Sequence, residues 1–167
     1  MKLKVAFQMD PITNVDLTAD TTFRLAEEAQ KRGHKIFYYN PENLIYDNGR
    51  IIARGNEIKI NRKVEPAVTL ESDIILDLEK DIDVVWLRQD PPFDMLYITT
   101  TFLLERVRKN TVVINDPYWV RNSPEKLMIL DFKNLMPPTI ITRNLKAIIE
   151  FRSEHKDIIL KPLYGNG

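Results

Sequence analysis

Residues 3–39 carry the pattern that most restricts the fold. Residues 3–9 alternate and are apolar enough for a buried strand. Asp10-Pro11 breaks that strand. Asp20 can cap a helix running to about Arg32, with Thr22, Leu25, Ala26 and Ala29 on one face. Gly33 then supplies the left-handed residue that ends a helix, and residues 36–39 form a second strand. Strand, helix and strand in about 40 residues is the signature of a parallel crossover. The chain is therefore expected to open as an α/β domain built on an open, mostly parallel sheet.

The following residues vary this plan. Residues 44–46 and 51–53 flank Asp47-Asn48-Gly49, where Asn-Gly tolerates the positive φ of a tight hairpin turn. Residues 57–64 can add a further strand, so 44–65 reads as an antiparallel extension, while residues 66–81 carry no clear signal. Residues 83–88 are a third parallel-type strand, and Asp94 caps a helix to about Lys109. Residues 111–115 are a fourth strand. A new segment starts at Ser123-Pro124-Glu125, where serine can cap, proline suits the first helical position and glutamate favours the positive end of the dipole. That helix is expected to reach Phe132, followed by a strand over 139–142, a helix from Asn144 to about His155 and a strand over 158–161. The expected division is 1–122 and 123–167. The last residues are a glycine-rich turn, which ordinarily joins two structured segments, so a truncated or incomplete sequence is expected, with a frayed natural end as the alternative.

Composition removes several function classes. Lys+Arg and Asp+Glu both total 24, so no net field draws the chain to nucleic acid or an anionic membrane. No cysteine is present, which excludes disulfides and thiolate zinc sites. The amino terminus is interrupted by Lys4, Gln8 and Asp10 and lacks the apolar run of a signal peptide, so a cytoplasmic location without membrane association is expected. His34 and His155 have no ligand spacing around them, and no metal site is assigned. Trp86 and Trp119 read as packing residues. Neither a Gly-x-Ser-x-Gly elbow nor a Gly-x-Gly-x-x-Gly fingerprint is present, which argues against a dinucleotide fold.

Ligands of open parallel sheets sit beyond the carboxyl ends of the strands. That rule gathers Asp10 from the first strand, Arg88, Gln89 and Asp90 from the third, and Asn115 and Asp116 from the fourth. Arg88 can hold a carboxylate by two parallel hydrogen bonds, Asp10 or Asp90 can pair with an ammonium, and Asn115 both donates and accepts. The set suits a small zwitterion; an Arg88–Asp90 pair that only orders a surface loop is the alternative. Lys161 leaves an apolar segment just before Gly165-Asn166-Gly167, so an ammonium and close-approaching backbone N–H groups can meet phosphate oxygens there. A solvated lysine is the alternative for Lys161. Lys126 lies in a first helical turn, where its charge opposes the dipole, although spacing alone favours ordinary surface placement.

Met9-Asp10-Pro11-Ile12, Arg88-Gln89-Asp90-Pro91-Pro92-Phe93-Asp94, Glu125-Lys126-Leu127, Thr142-Arg143-Asn144 and residues 158–163 occur in this order in bacterial-type glutathione synthetases, and the chain resembles that family throughout. It departs at Gln89, where a basic residue is common, and at Tyr164, where an acidic one is. The resemblance implies a Rossmann-like, pre-ATP-grasp substrate domain followed by the start of an ATP-grasp domain. It implies ligation of γ-glutamylcysteine to glycine with conversion of ATP to ADP and phosphate, through an acyl phosphate. It implies that Lys126 and Lys161, with Gly165, Asn166 and Gly167, meet the ATP phosphates, and that Asp10, Arg88, Asp90 and Asn115 serve the substrate. No catalytic residue is assigned. Mg2+ or Mn2+ would accompany ATP, with ligands beyond Gly167, and the complete enzyme would be a homo-oligomer. This piece alone is expected to be inactive. Another ATP-grasp carboxylate–amine ligase and a non-catalytic α/β module are the other readings.

Overall fold

The structure, a computed structural model, describes residues 1–107 and 109–164. It separates into two compact units, residues 1–122 and 123–167.

In the first unit, β1 (Lys4–Gln8) lies between β2 (Lys35–Tyr39) and β6 (Val84–Leu87), and β7 (Val112–Ile114) follows β6. These four strands are parallel, with Val5 opposite Ile36 and Val84, and Val84 opposite Val112. Beyond β2 the sheet turns antiparallel through β4 (Arg50–Ile60), which pairs with β2, β3 (Leu44–Asp47) and β5 (Val68–Asp77). The open α/β sheet is as expected. The stretch after Glu57 is not a separate strand but the second half of β4, and the silent region 66–81 contains β5. The β3–β4 turn places Asn48 and Gly49 at φ 48° and 89°, as Asn-Gly predicts.

Helix α1 (Thr21–Lys31) explains why the parallel part closes. The Asp20 carboxylate accepts from the Phe23 N–H at 2.6 Å and so caps it. Gly33 at φ 82° ends it and returns the chain to β2. The helix buries Thr22, Phe23 and Ala26, with Phe23 and Ala26 joining Val5, Phe7 and Ile36 in a cluster on one face of the sheet. The other face carries Ala6, Tyr39, Val85, Leu87 and Val113, covered by Leu104 of α2 (Met95–Leu104) and by Val107. Alternation along β1 sorts its side chains between these clusters. Asp94 caps α2 by accepting from the Leu96 and Tyr97 N–H groups at 2.9 and 3.0 Å. That helix stops earlier than expected, continuing as a 3-10 turn over Glu105–Val107. A short α3 (Pro117–Asn122) completes the unit.

Trp86 stacks on Phe7 with ring centroids 6.2 Å apart, but Trp119 is 61% exposed and does not pack as expected. Position 119 lies on a two-turn helix at the surface, where its ring stands at right angles to that of Tyr118 with centroids 5.1 Å apart.

The second unit departs more from the sequence reading. Helix α4 (Glu125–Met128) begins after Pro124 and gives way to a 3-10 segment over Ile129–Leu135 that is broken at Phe132. Ser123 makes no side-chain cap; Pro124 occupies the capping position. Helix α5 (Leu145–His155) forms as expected, with Asn144 accepting from the Lys146 and Ala147 N–H groups. The strands expected over 139–142 and 158–161 are not formed. A strand needs a neighbour to take its backbone hydrogen bonds, and no strand stands among the described residues of this unit.

Candidate functional site

The carboxyl ends of β1 and β6 and the first turn of α1 enclose a cavity of about 420 Å³. In a parallel crossover the helix starts near the strand tips, so residues distant in sequence share one rim. The Arg88 N–H donates to the Gln8 carbonyl at 2.8 Å, which extends the β1–β6 ladder past its last strand residue. The Asp90 N–H donates to the Asp10 carboxylate at 2.7 Å and joins the two tips. Asp10, Arg88 and Asp90 therefore line one space, with Asp16, Asp20, Thr21 and Thr22 from the other side.

The guanidinium of Arg88 rests on hydroxyls instead of carboxylates. Its Nε donates to Thr22 Oγ1 at 3.0 Å and its Nη2 to Thr21 Oγ1 at 2.9 Å. Among the described residues it forms no ion pair, and its Nη1 has no hydrogen-bond partner. The Asp90 carboxylate is likewise unpaired among the described residues. Burial raises its pKa above the ordinary carboxylate range, Asp10 and Asp20 add to that shift, and Arg88 opposes it. Thr18 side-chain and backbone donors hold the Asp16 carboxyl below its usual value. The wall over residues 15–20 is tied down from outside. Arg62 donates from Nη1 to the Leu17 carbonyl and from Nε to Glu27, both at 2.6 Å, with its Cζ 4.6 Å from the Phe23 ring centroid.

Asn115 does not line this cavity. It follows β7, beyond β6, and Asp116 beside it accepts from the Tyr118 and Trp119 N–H groups at the start of α3. Gln89 also lies off the cavity, with a buried side-chain oxygen that has no partner among the described residues. Thr21 and Thr22 are the contributors that the strand-tip rule missed. Asp20-Thr21-Thr22 signals a helix start, and a helix start at the mouth of a parallel crossover was the available clue. A second cavity of about 330 Å³, lined by Asn43, Arg54, Asn56 and Asp73 among others, sits on the antiparallel extension and holds no expected site residue.

In the second unit, Lys126 Nζ donates to the Pro162 carbonyl at 2.7 Å. One ammonium is thus brought to the segment that carries Lys161, although the two lie 35 positions apart in sequence. Lys161 is exposed and has no hydrogen bond or ion pair among the described residues. Gly165, Asn166 and Gly167 lie outside the described residues. Among the described residues no three His, Asp or Glu side chains converge to hold a metal ion, and no helix is long and apolar enough to cross a membrane.

Comparison with known proteins adds a second line. A family model described as prokaryotic glutathione synthetase, N-terminal domain, matches residues 3–121, and one described as prokaryotic glutathione synthetase, ATP-grasp domain, matches residues 125–167. The chain is 53% identical to a glutathione synthetase of Brucella melitensis over 167 residues, which is all of this chain and 53% of that protein. It is 50% identical to that of Mesorhizobium japonicum over the same span, again 53% of the relative. With a glutathione synthetase of Escherichia coli the identity is 38% over 168 residues, 99% of this chain and 52% of the relative. The chain thus spans about half the length of the curated relatives it matches.

Proposed function

The chain belongs to the prokaryotic glutathione synthetase family, and from that premise we propose that it supplies the acid-substrate cavity and two phosphate-binding lysines of an ATP-dependent ligase. The substrates are γ-glutamylcysteine and glycine. The observation that carries the reading is Arg88, a guanidinium held by two neutral hydroxyls beside an unpaired Asp90 carboxylate.

Opposite charges that share a cavity without a direct ion pair can each take the complementary group of a zwitterionic ligand. Arg88 takes a carboxylate of the γ-glutamylcysteine substrate and Asp90 takes its ammonium. Asp10 fixes the Asp90 backbone and, through it, the distance between the two anchors. Asn115 stands at the next strand tip, outside the cavity, and is left without a substrate contact here. A carboxylate is a poor electrophile. A cysteinyl carboxylate oxygen takes the γ-phosphoryl group of ATP and ADP leaves; the glycine amine then attacks the acyl carbon, loses a proton and expels phosphate. In the second unit, Lys126 and Lys161 offset negative charge on the triphosphate. Gly165, Asn166 and Gly167 complete that reading as backbone donors to phosphate.

Mg2+ or Mn2+ would accompany ATP, but the described residues do not offer the clustered acidic ligands such an ion needs. A cytoplasmic, homo-oligomeric enzyme belongs to the same proposal.

The test is an assay of a protein spanning the full length of the relatives. Supplied with ATP, γ-glutamylcysteine and glycine, it is expected to form glutathione and release phosphate in equal amounts. Product from a different acid–amine pair, with none from this one, would overturn the substrate assignment. In the same protein Lys161→Ala is expected to weaken ATP binding by about 1.5–3 kcal/mol, the range for a hydrogen bond to a charged group.

A further inference from the structure

An arginine presents two usable edges. One is formed by Nε and Nη2, the other by Nη1 and the outer hydrogen of Nη2, and either can receive both oxygens of a carboxylate. In this fold the first edge is already taken. Thr22 Oγ1 accepts from Nε at 3.0 Å and Thr21 Oγ1 from Nη2 at 2.9 Å. Both acceptors are uncharged, so the edge is satisfied while the charge remains.

The arrangement is anchored at both ends. Thr22 is 4% exposed and held in the first turn of α1, which Asp20 caps. The Arg88 backbone is pinned to Gln8. An arginine side chain is long and rotamer-rich, and ordering it on binding would cost affinity. Here the two threonine contacts already order it.

We propose that Thr21 and Thr22 are positioning residues that occupy the lateral edge of Arg88 and turn its terminal edge towards the ligand, so that the cavity receives a carboxylate end-on. This rests on the reading of the cavity as a carboxylate site and adds to it both the orientation and the residues that set it. Two adjacent hydroxyls do what a carboxylate partner could not, since an aspartate at that edge would neutralise the charge the ligand needs.

The test uses this chain, labelled at arginine nitrogen, with γ-glutamylcysteine as the probe. Thr22→Val keeps the shape and removes the acceptor. It is expected to weaken probe binding roughly tenfold, the lower end for a hydrogen bond to a charged group. It should also shift the Arg88 Nε–H resonance and speed its exchange with water. Thr22→Ser restores both to within about twofold, because the acceptor returns. Thr21→Val gives a loss of the same kind, and since Thr21 is exposed it decides the matter if Thr22→Val does not fold. Wild-type affinity together with an unchanged Nε–H signal in the valine variants would overturn the inference. Arg88→Lys and Arg88→Gln separate the two levels. If Arg88→Lys loses binding while the valine variants do not, only the positioning role fails; if Arg88→Gln, which removes the charge, binds as wild type, the carboxylate reading fails with it.

Discussion

Asp90 shows how a single side chain links the electrostatics of the cavity to its use. Burial holds its pKa above the ordinary range, with Asp10 and Asp20 in support and Arg88 opposing. An ammonium is attracted only to the ionised carboxylate, so affinity for γ-glutamylcysteine is expected to fall as pH drops through this raised titration. The loss should begin above the pH at which an ordinary aspartate protonates, about 3.9. Calorimetric titration of the probe against pH measures it, and Asp90→Asn should abolish the dependence together with much of the affinity. A raised native pKa also means that the contribution of Asp90 to stability is fully present below its unfolded value and lost as pH rises through the native one. Asp90→Asn should therefore be neutral or slightly stabilising at neutral pH. At this scale Arg88, Asp10 and Asp90 were legible because strand tips can be located from hydropathy alone. Thr21 and Thr22 were not, since a threonine at a helix start has an ordinary local explanation and its long-range acceptor role depends on the crossover. Asn115 stands at a strand tip but does not line the cavity, because the strand-tip rule names a rim and not where along it the cavity lies.

Among the elements, β4 carries the greatest burden. It serves β3 through residues 50–53, β2 through Asn56 and Glu57, and β5 along most of its length. At Gly55 it passes close to β2. A Cβ there would sit 2.2 Å from the Tyr38 carbonyl oxygen and 2.9 Å from the Tyr39 Cβ, and backbone cannot step aside as a side-chain end can. Gly55→Ala is expected to destabilise the chain by about 3 kcal/mol, as overpacking against fixed atoms does. A urea denaturation midpoint that does not move would contradict this. The same element explains why the antiparallel half was only partly legible. The Asn48-Gly49 turn announced itself, but β5 is exposed over much of its length and lacks the apolar alternation that a sequence reading needs. In the second unit the apolar runs over 139–142 and 158–161 carry strand propensity, and propensity without a hydrogen-bonding neighbour does not make a strand.

For the molecule as a whole, two units match two successive family models, and the chain covers about half the length of its relatives. The chain by itself is expected to form no glutathione from ATP, γ-glutamylcysteine and glycine, and substantial turnover would count against the assignment of chemistry to a longer protein. The proposed binding of the acid substrate is expected to be separable from that chemistry, because the described lining of the cavity comes from residues 1–122. A crystal structure of the protein grown with γ-glutamylcysteine tests this most directly. The account predicts a ligand carboxylate about 2.7–3.2 Å from Arg88 Nη1 and Nη2, with the ligand ammonium at Asp90 and the Thr21 and Thr22 contacts intact. Ligand bound instead in the cavity beside Arg54 and Asp73, with Arg88 touching only the two threonines, would contradict it.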